Sequence, residues 1–536
     1  MKKRIGTVLV AVVALAGCSD SGAGGDENSN AERVDFNAEG LPLVNDDVDV
    51  SLTFVSPKSS LAPDFDEMVI FERLEEETNV SINWNNIPGD GYVERRNLML
   101  AGNDLPDAFY NAGLSDYDLV RYGRDGAIIP LEGLIEEHAP NLQRILEERP
   151  ELLAVLTAPD GHIYSLPRVE EMGLVPFANF TVINQTWLDE VGLDHPDTLD
   201  ELKEALIAFQ AADVNGSGTP DEVLSLTPND GFQGYFGDLF AAFGLPDNPN
   251  KLVVKESEVI FTAVEDEYKE AIAYFHDWFA EGLIDAEAFT HDTGQFLAKG
   301  KQDPNPLGAF IFWEIESVVG QDRADDYALL GPLEGPNGHR MYGRSNHQEH
   351  HRSAFVITSA NENPELTMRW VDQLYDPKLS AQINWGPIGD IYEEDETGCL
   401  VNVELPEGTT MGEFRERVAP MGPSVVLEEH FGTVVDMEPR AKQRLEDIET
   451  YYADYIWEEN YPNVFMTEEE LDRLNYIETD IMDLVNRNYA RWLMNGGIED
   501  EWDGYVDQLY EMGLDEVMEI RQGAYDRFHQ QVSEAE

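Results

Sequence analysis

From Val48 to Tyr110 the chain alternates between two hydrophobic periods, and this alternation narrows the choice of fold more than any other feature. Val48 to Val55 reads as an apolar-leaning strand, and Glu67 to Thr78 as an amphipathic helix with Val69, Ile70, Phe71 and Leu74 at roughly helical spacing. Asn79 to Asn85 is a second strand, Tyr92 to Ala101 a second helix, and Asp107 to Tyr110 a short third strand. Strands separated by helices need crossover connections, so the segment predicts an α/β protein with a parallel sheet covered on both faces. Helices dominate the remainder, including Leu199 to Ala211, Glu265 to Glu281, Pro364 to Tyr375 and Glu468 to Met494. No internal repeat is visible, and no later apolar run has the roughly 20 residues that span a bilayer.

The N-terminus belongs to a different layer of information. Lys2, Lys3 and Arg4 precede an uncharged, mostly apolar run from Ile5 to Leu15, too short to cross a membrane, and the run closes on Leu15-Ala16-Gly17-Cys18. This is the pattern of a lipoprotein signal: residues 1–17 are expected to be removed and Cys18 to carry lipid. Ser19 to Gly40 is rich in Gly, Ser, Asn, Asp and Glu, so residues 18–43 are expected to form a flexible tether. The folded part is then held on the cell surface or periplasmic side of a membrane, in the aqueous phase.

Charge removes whole classes of partner. With 106 acidic against 35 basic residues the net charge is −71, a field that repels nucleic acid and anionic lipid. Because the acids are spread over the mature chain, they read as a solubility device for a salty or alkaline exterior. The 2 cysteines are Cys18, committed to lipid, and Cys399 in an acidic loop, which excludes an intrachain disulfide and a cysteine metal site.

Four segments then occur in order: Leu74-Glu75-Glu76-Glu77-Thr78-Asn79-Val80; Ala101-Gly102-Asn103-Asp104-Leu105-Pro106-Asp107; Trp187-Leu188-Asp189-Glu190-Val191-Gly192-Leu193 with Pro196 and Thr198; and Trp385-Gly386-Pro387-Ile388-Gly389-Asp390-Ile391-Tyr392. Together they resemble family 1 extracellular solute-binding proteins of ABC importers, in particular the long lipoprotein branch that includes alginate- and pectin-oligosaccharide binders. The resemblance runs from about Val48 to Phe528. It implies a two-lobed, periplasmic-binding-protein-like (type II) fold with discontinuous lobes and a helix-rich C-terminal part, closing like a clamp on a sugar. Residues 44–165 with 310–380 are expected in one lobe, and 166–309 with 381–536 in the other. The implied partners are an oligosaccharide, possibly uronic-acid-containing, and membrane permease subunits, with the binding protein itself a monomer.

Asp213-Val214-Asn215-Gly216-Ser217-Gly218-Thr219-Pro220-Asp221-Glu222 places oxygen-bearing side chains at alternate positions, with Gly218 for a sharp turn. That spacing suits a Ca²⁺ loop and equally a polar Asx-turn. The twelfth position is Leu224, which cannot bind metal. In the family the chain resembles, the loop closes instead with an adjacent Asp-Glu pair, which implies a structural Ca²⁺ held by Asp213, Asn215, Ser217, the Thr219 carbonyl, Asp221 and Glu222. His347-Gln348-Glu349-His350-His351 lacks the i, i+4 spacing of a helical zinc site, so a polar segment or surface loop is expected there.

Sugar rings need flat apolar faces as well as polar groups. Trp385 and Trp313 follow stretches expected to cross between lobes, and Tyr110 and Tyr235 are lesser candidates for the same role. Arg344 has the forked geometry that pairs with a uronate carboxylate. Glu314 and Glu316 mimic a glycosidase pair, but among so many acids such pairs arise by chance. No nucleophile elbow, phosphate-cradling loop or dinucleotide fingerprint is present, so a binding protein rather than an enzyme is expected. The alternatives at this stage are an exported polysaccharide-active hydrolase or lyase, and a peptide or metal binder of similar architecture.

Overall fold

The structure is a computed structural model and describes residues 34–177, 180–227, 236–345, 349–405 and 411–535. The signal segment, Cys18, Tyr235 and His347 lie outside the described residues.

The opening alternation folds as strands Ser51–Lys58, Ser81–Pro88 and Ala108–Tyr110 with helices Val69–Thr78 and Gly89–Gly102 between them. Helix Val69–Thr78 buries Ile70, Phe71, Leu74 and Thr78 along one stripe and stops at Asn79, whose left-handed conformation caps it. Residues along the strands point alternately to the two faces. Phe54, Tyr110 and Phe355 enter one aromatic core, with Trp84 and Trp370 packed around Phe54 at centroid distances of 5.6 and 5.3 Å. Their neighbours Val55, Phe109 and Val356 enter a second core against Tyr92, Leu119 and Tyr164. The sheet is thus buried on both faces, as expected.

It is not purely parallel. In spatial order its six strands are Ser424–Val426, Leu166–Glu170, His350–Ile357, Ala108–Tyr110, Ser51–Lys58 and Ser81–Pro88. His350–Ile357 runs antiparallel to both of its neighbours. A second sheet of four strands has the order Tyr327–Leu329, Phe180–Asn184, Leu307–Phe312 and Val223–Ser225. Phe180–Asn184 and Leu307–Phe312 are buried at every position, the mark of strands covered on both sides.

The chain passes between the sheets after Glu170, after Leu329 and after Val426, where it leaves for the C-terminal helices. These points differ from the expected divisions at 165, 310 and 380. Leu166–Glu170 and Ser424–Val426 stay with the first sheet, while Leu307–Phe312 and Tyr327–Leu329 stay with the second. Strand membership is decided by backbone pairing between residues far apart in sequence, which local pattern does not carry.

Helices Glu468–Asn495, Ile498–Glu511 and Leu514–Ala535 form the helix-rich C-terminal part and share a core with helices Leu199–Ala212 and Asp266–Ala280 and with the second sheet. Capping boxes at Thr198 with Glu201 and at Thr467 with Glu470 start two of these helices. Part of the segment expected as tether, residues 34–43, packs on the folded part. Leu43 and Val44 are wholly buried, their backbone amides donate to the Thr78 carbonyl at 2.9 and 3.3 Å, and Val34 and Phe36 pack against the first core. A few apolar residues suffice to dock residues 34–43, although their surroundings are polar. Cys399 is buried and unbridged.

Candidate functional site

Two of the aromatic residues singled out from the sequence meet on the wall of one cavity of about 360 Å³ between the two sheets. Trp313 follows directly on strand Leu307–Phe312 of the second sheet. Trp385 ends helix Pro377–Trp385, which is tied to the first sheet by the Val425 amide donating to Ser380 Oγ at 3.0 Å. The helix stops there because Gly386 has φ +128°, and a Cβ at that position would lie 2.7 Å from Val418 Cγ2. Trp385 is only 8% exposed and packs at 5.8 Å on Phe431, whereas Trp313 is half-buried.

The polar side of the cavity is a set of arginines answered by carboxylates. Arg415 lies 5.8 Å from the Trp385 ring, donates through Nε to the Asn384 carbonyl at 2.8 Å, and sits 3.5 Å from Glu170. Asn384 Nδ2 in turn donates to Glu170 at 2.7 Å. On the opposite wall, Arg444 covers Trp313 at 4.8 Å, and burial holds its pKa below the ordinary arginine value despite Glu314 and Glu438 nearby. Its Nε is buried without a hydrogen-bond partner. Arg440 bonds Glu438 at 2.6 Å and Glu314 at 2.7 Å. Glu314 and Glu316 therefore face a shared guanidinium, an ion-pair arrangement rather than a hydrolytic pair. Met172, Leu174 and Phe177, on the crossover after Glu170, complete the apolar lining.

Other candidates fall elsewhere. Tyr110 is 0% exposed, inside the first aromatic core 5.3 Å from Trp84, and is a core residue rather than a ligand platform. Arg344 is spent on backbone: it donates to the carbonyls of Trp457, at 3.0 Å, and Glu458, which leaves its fork committed within the protein rather than offered to a uronate. His350 and His351 lie in strand His350–Ile357, away from this cavity. Glu170, Arg415, Arg440 and Arg444 were not anticipated. In so acidic a chain, two arginines four apart on helix Pro439–Asp447 were the available signal, since that spacing puts both on one helix face.

The loop after helix Leu199–Ala212 begins at Asp213, which takes a left-handed conformation at the helix end. Asn215 Nδ2 and Ser217 Oγ donate to Asp221 Oδ1 at 2.8 and 2.7 Å, and the Gly218 amide donates to Asp213 Oδ1 at 2.9 Å. Burial raises the Asp221 pKa, but these hydrogen bonds outweigh it and hold the group below the usual range. Glu222 is 0% exposed and its Oε2 has no partner. Its pKa is raised by burial first and then by the charges of Asp221 and Asp213. A buried carboxylate oxygen without a donor, beside two further carboxylates, fits a hard cation. Among the described residues no three His, Cys, Asp or Glu side chains converge into a ready-made metal cage. The loop's donor set relies also on Asn, Ser and a backbone carbonyl.

Two α/β lobes joined by repeated crossovers, with a tryptophan-walled cavity where they meet, are the architecture of a solute-binding protein. The chain belongs to the bacterial extracellular solute-binding protein family, whose model matches residues 58–379. It is a binding protein and not an enzyme. It is 40% identical over 532 residues, 97% of each chain, to the fructooligosaccharide ABC transporter substrate-binding protein FusA of Streptococcus pneumoniae. Solved structures of FusA in complex with kestose, and of its EF-hand mutant in complex with fructo-nystose, each match with a TM-score of 0.82 at 40% identity, covering 90% of this chain and 99% of theirs. The polygalacturonan/rhamnogalacturonan-binding protein YtcQ of Bacillus subtilis is 23% identical over 436 residues, 79% of this chain and 80% of its own.

Proposed function

We propose that this chain is the lipid-anchored, monomeric substrate-binding subunit of an ABC importer, and that it captures a neutral oligosaccharide of the fructooligosaccharide class in the cleft between Trp313 and Trp385. The observation that carries the reading is the pair of tryptophans, one from each lobe, lining a single cavity. Indole faces pack on the C–H faces of sugar rings, and arginine and carboxylate groups beside them exchange hydrogen bonds with hydroxyls. Because Arg415 and Arg440 are already answered by Glu170, Glu314 and Glu438, the site favours hydroxyls over uronate charge. The extent of similarity to FusA, with kestose in its complex, supports the same ligand class.

In this reading the first sheet with its helices forms one lobe, and the second sheet with the C-terminal helices forms the other. The crossovers after Glu170, Leu329 and Val426 act as hinges. Asp213 to Glu222 holds a structural Ca²⁺, a role favoured by the buried, unpartnered Glu222 oxygen and by the EF-hand of FusA. The Leu-Ala-Gly-Cys ending of the signal supports anchoring through Cys18. A thermal-shift panel of kestose, longer fructooligosaccharides and oligogalacturonides tests the ligand: fructooligosaccharides should raise the melting temperature and oligogalacturonides should not. A shift with oligogalacturonides alone would replace this reading with uronate capture.

A further inference from the structure

Resting on the reading of Cys18 as the lipid anchor, we infer that the folded part is fastened to its lipid at the end of the first lobe remote from the sugar cleft, so that residues 18–33 are a leash whose length lets the cleft reach the permease. The fastening is a strap of residues 34–44. The Val34 amide donates to Asn363 Oδ1 at 3.1 Å, the Phe36 ring lies 5.8 Å from that of His138, and Arg369 donates to the Gly40 carbonyl at 3.5 Å. Asn37 folds the strap on itself, its amide donating to the Leu43 carbonyl at 2.7 Å and its Nδ2 to the Pro42 carbonyl at 2.8 Å. Asn79 Nδ2 donates to the Val44 carbonyl at 3.0 Å, and because Leu43 and Val44 are wholly buried, the strap cannot peel away without opening the first core. The leash therefore meets the fold at Val34.

Strand direction decides where that point lies. Ser51–Lys58 runs parallel to Ser81–Pro88 and Ala108–Tyr110, and Ser424–Val426 runs parallel to Leu166–Glu170. His350–Ile357 is antiparallel to both Ala108–Tyr110 and Leu166–Glu170, so every other strand of the first sheet ends at the same edge. That edge faces the cavity, which Glu170 and Met172 line. The strap holds the other edge: Thr78 and Asn79 lead into the start of Ser81–Pro88, and Asn361 donates to the carbonyl of Asp107, just ahead of Ala108–Tyr110, at 3.3 Å. Ser51–Lys58 has 8 residues, so at about 3.3 Å per residue about 26 Å of strand separates the strap from the cleft edge. Asp46, Asp49, Glu72, Glu75 and Glu76 rim a hollow beside the strap, and anionic lipid headgroups repel such a surface rather than hold it down. Residues 18–33, read from composition as a tether, reach about 50 Å at full extension and about 22 Å on average. That reach matches the length of the strand and lets the molecule turn its cleft to the membrane. A leash of a few residues would hold the cleft about 26 Å above the bilayer, out of register with a permease.

Kestose uptake by cells that express the full chain with its permease tests this, using a deletion of residues 20–31 and a replacement of the same residues by Gly and Ser at equal length. Lipid labelling, membrane fractionation and kestose affinity of the detergent-extracted proteins should be alike in the parent and both variants, since Cys18, Ser19 and the strap are kept. Uptake should fall at least about tenfold in the deletion, because a linker too short to span two sites brings their effective concentration near zero, and the Gly and Ser replacement should restore it to within about twofold of the parent. A leash that left the fold beside the cleft could be shortened without harm, so equal uptake by the deletion and the parent overturns the inference. Uptake lost equally in the replacement also overturns it, because length would then not be the property that matters. If the parent carries no lipid or imports no kestose, the proposed function itself falls, and the inference with it.

Discussion

Truncating Trp313 and Trp385 separately divides recognition from support. Trp385 is 8% exposed and belongs to a packed cluster with Ala381, Ile391, Tyr392, Leu400, Val426 and Val435. Alanine there leaves a large void, which costs about 3–5 kcal/mol of stability whatever it does to the ligand. Trp313 is half-buried, and its protein contact of note is the Arg444 guanidinium at 4.8 Å. Losing that contact costs about 0.5–1 kcal/mol, and losing half the burial of a large side chain about as much again, so Trp313→Ala should destabilise by about 1–2 kcal/mol. Its accessible face is where a sugar ring stacks, and removing such an anchor weakens binding by about 1–3 kcal/mol, or roughly tenfold to a hundredfold in Kd. Urea unfolding gives the stability of each variant, and titration calorimetry at a temperature where both are folded gives the affinity for kestose. Trp313→Ala should show the small stability loss with the large affinity loss, and Trp385→Phe should keep the fold while weakening binding. A Trp313→Ala protein that binds kestose within twofold of the parent would refute the assignment of this wall to the ligand.

Three other outcomes are expected. Ca²⁺ at a hundredfold excess over its Kd should stabilise the parent by about 2.7 kcal/mol, and the paired change Asp221→Asn with Glu222→Gln should abolish the response, read as melting temperature with and without chelator. Glu349, half-buried near Glu170 and Glu171 with the Gly173 amide donating to it at 2.5 Å, has its pKa pushed up to about 7, chiefly by loss of solvent around it. A carboxyl whose folded pKa is raised contributes stability that is full below its unfolded value and is lost as pH rises through about 7. Glu349→Gln should therefore gain on the parent with rising pH, by as much as about 3 kcal/mol near pH 9, and equal pH profiles for the two proteins would contradict this. Cys18→Ala should abolish lipid labelling and release the protein from membranes, as judged by fractionation of expressing cells; unchanged membrane association and processing would remove the lipoprotein reading.

Much of the fold could be read locally. Helix Glu468–Asn495 lies within a residue of its expected span because Thr467 and Glu470 form a capping box at its start and Gly496 follows its end. The early strands and helices were legible for a similar reason, since the alternation of Phe54 with Val55 and the stripe through Ile70, Phe71 and Leu74 are local signals. What stayed hidden was long-range. Nothing in His350–Ile357 announces that it inserts antiparallel between strands drawn from residues 108–110 and 166–170. Tyr110 shows the limit for site residues: an aromatic after a turn looks the same whether it faces a cleft or a core, and only the packing of Trp84 and Phe355 around it decides. The arginines of the cleft were hidden for the same reason, because Arg415 meets Glu170 and Arg440 meets Glu314 only through long-range folding.

The most direct test is a crystal structure of the full soluble chain grown with Ca²⁺ and kestose. Sugar density is expected between Trp313 and Trp385, with one ring on the accessible indole face of Trp313 and hydroxyls within hydrogen-bond reach of Arg415 or Arg444. Density in the separate groove lined by Asp116, His351 and Tyr461, with the Trp313 cavity filled only by water, would contradict it.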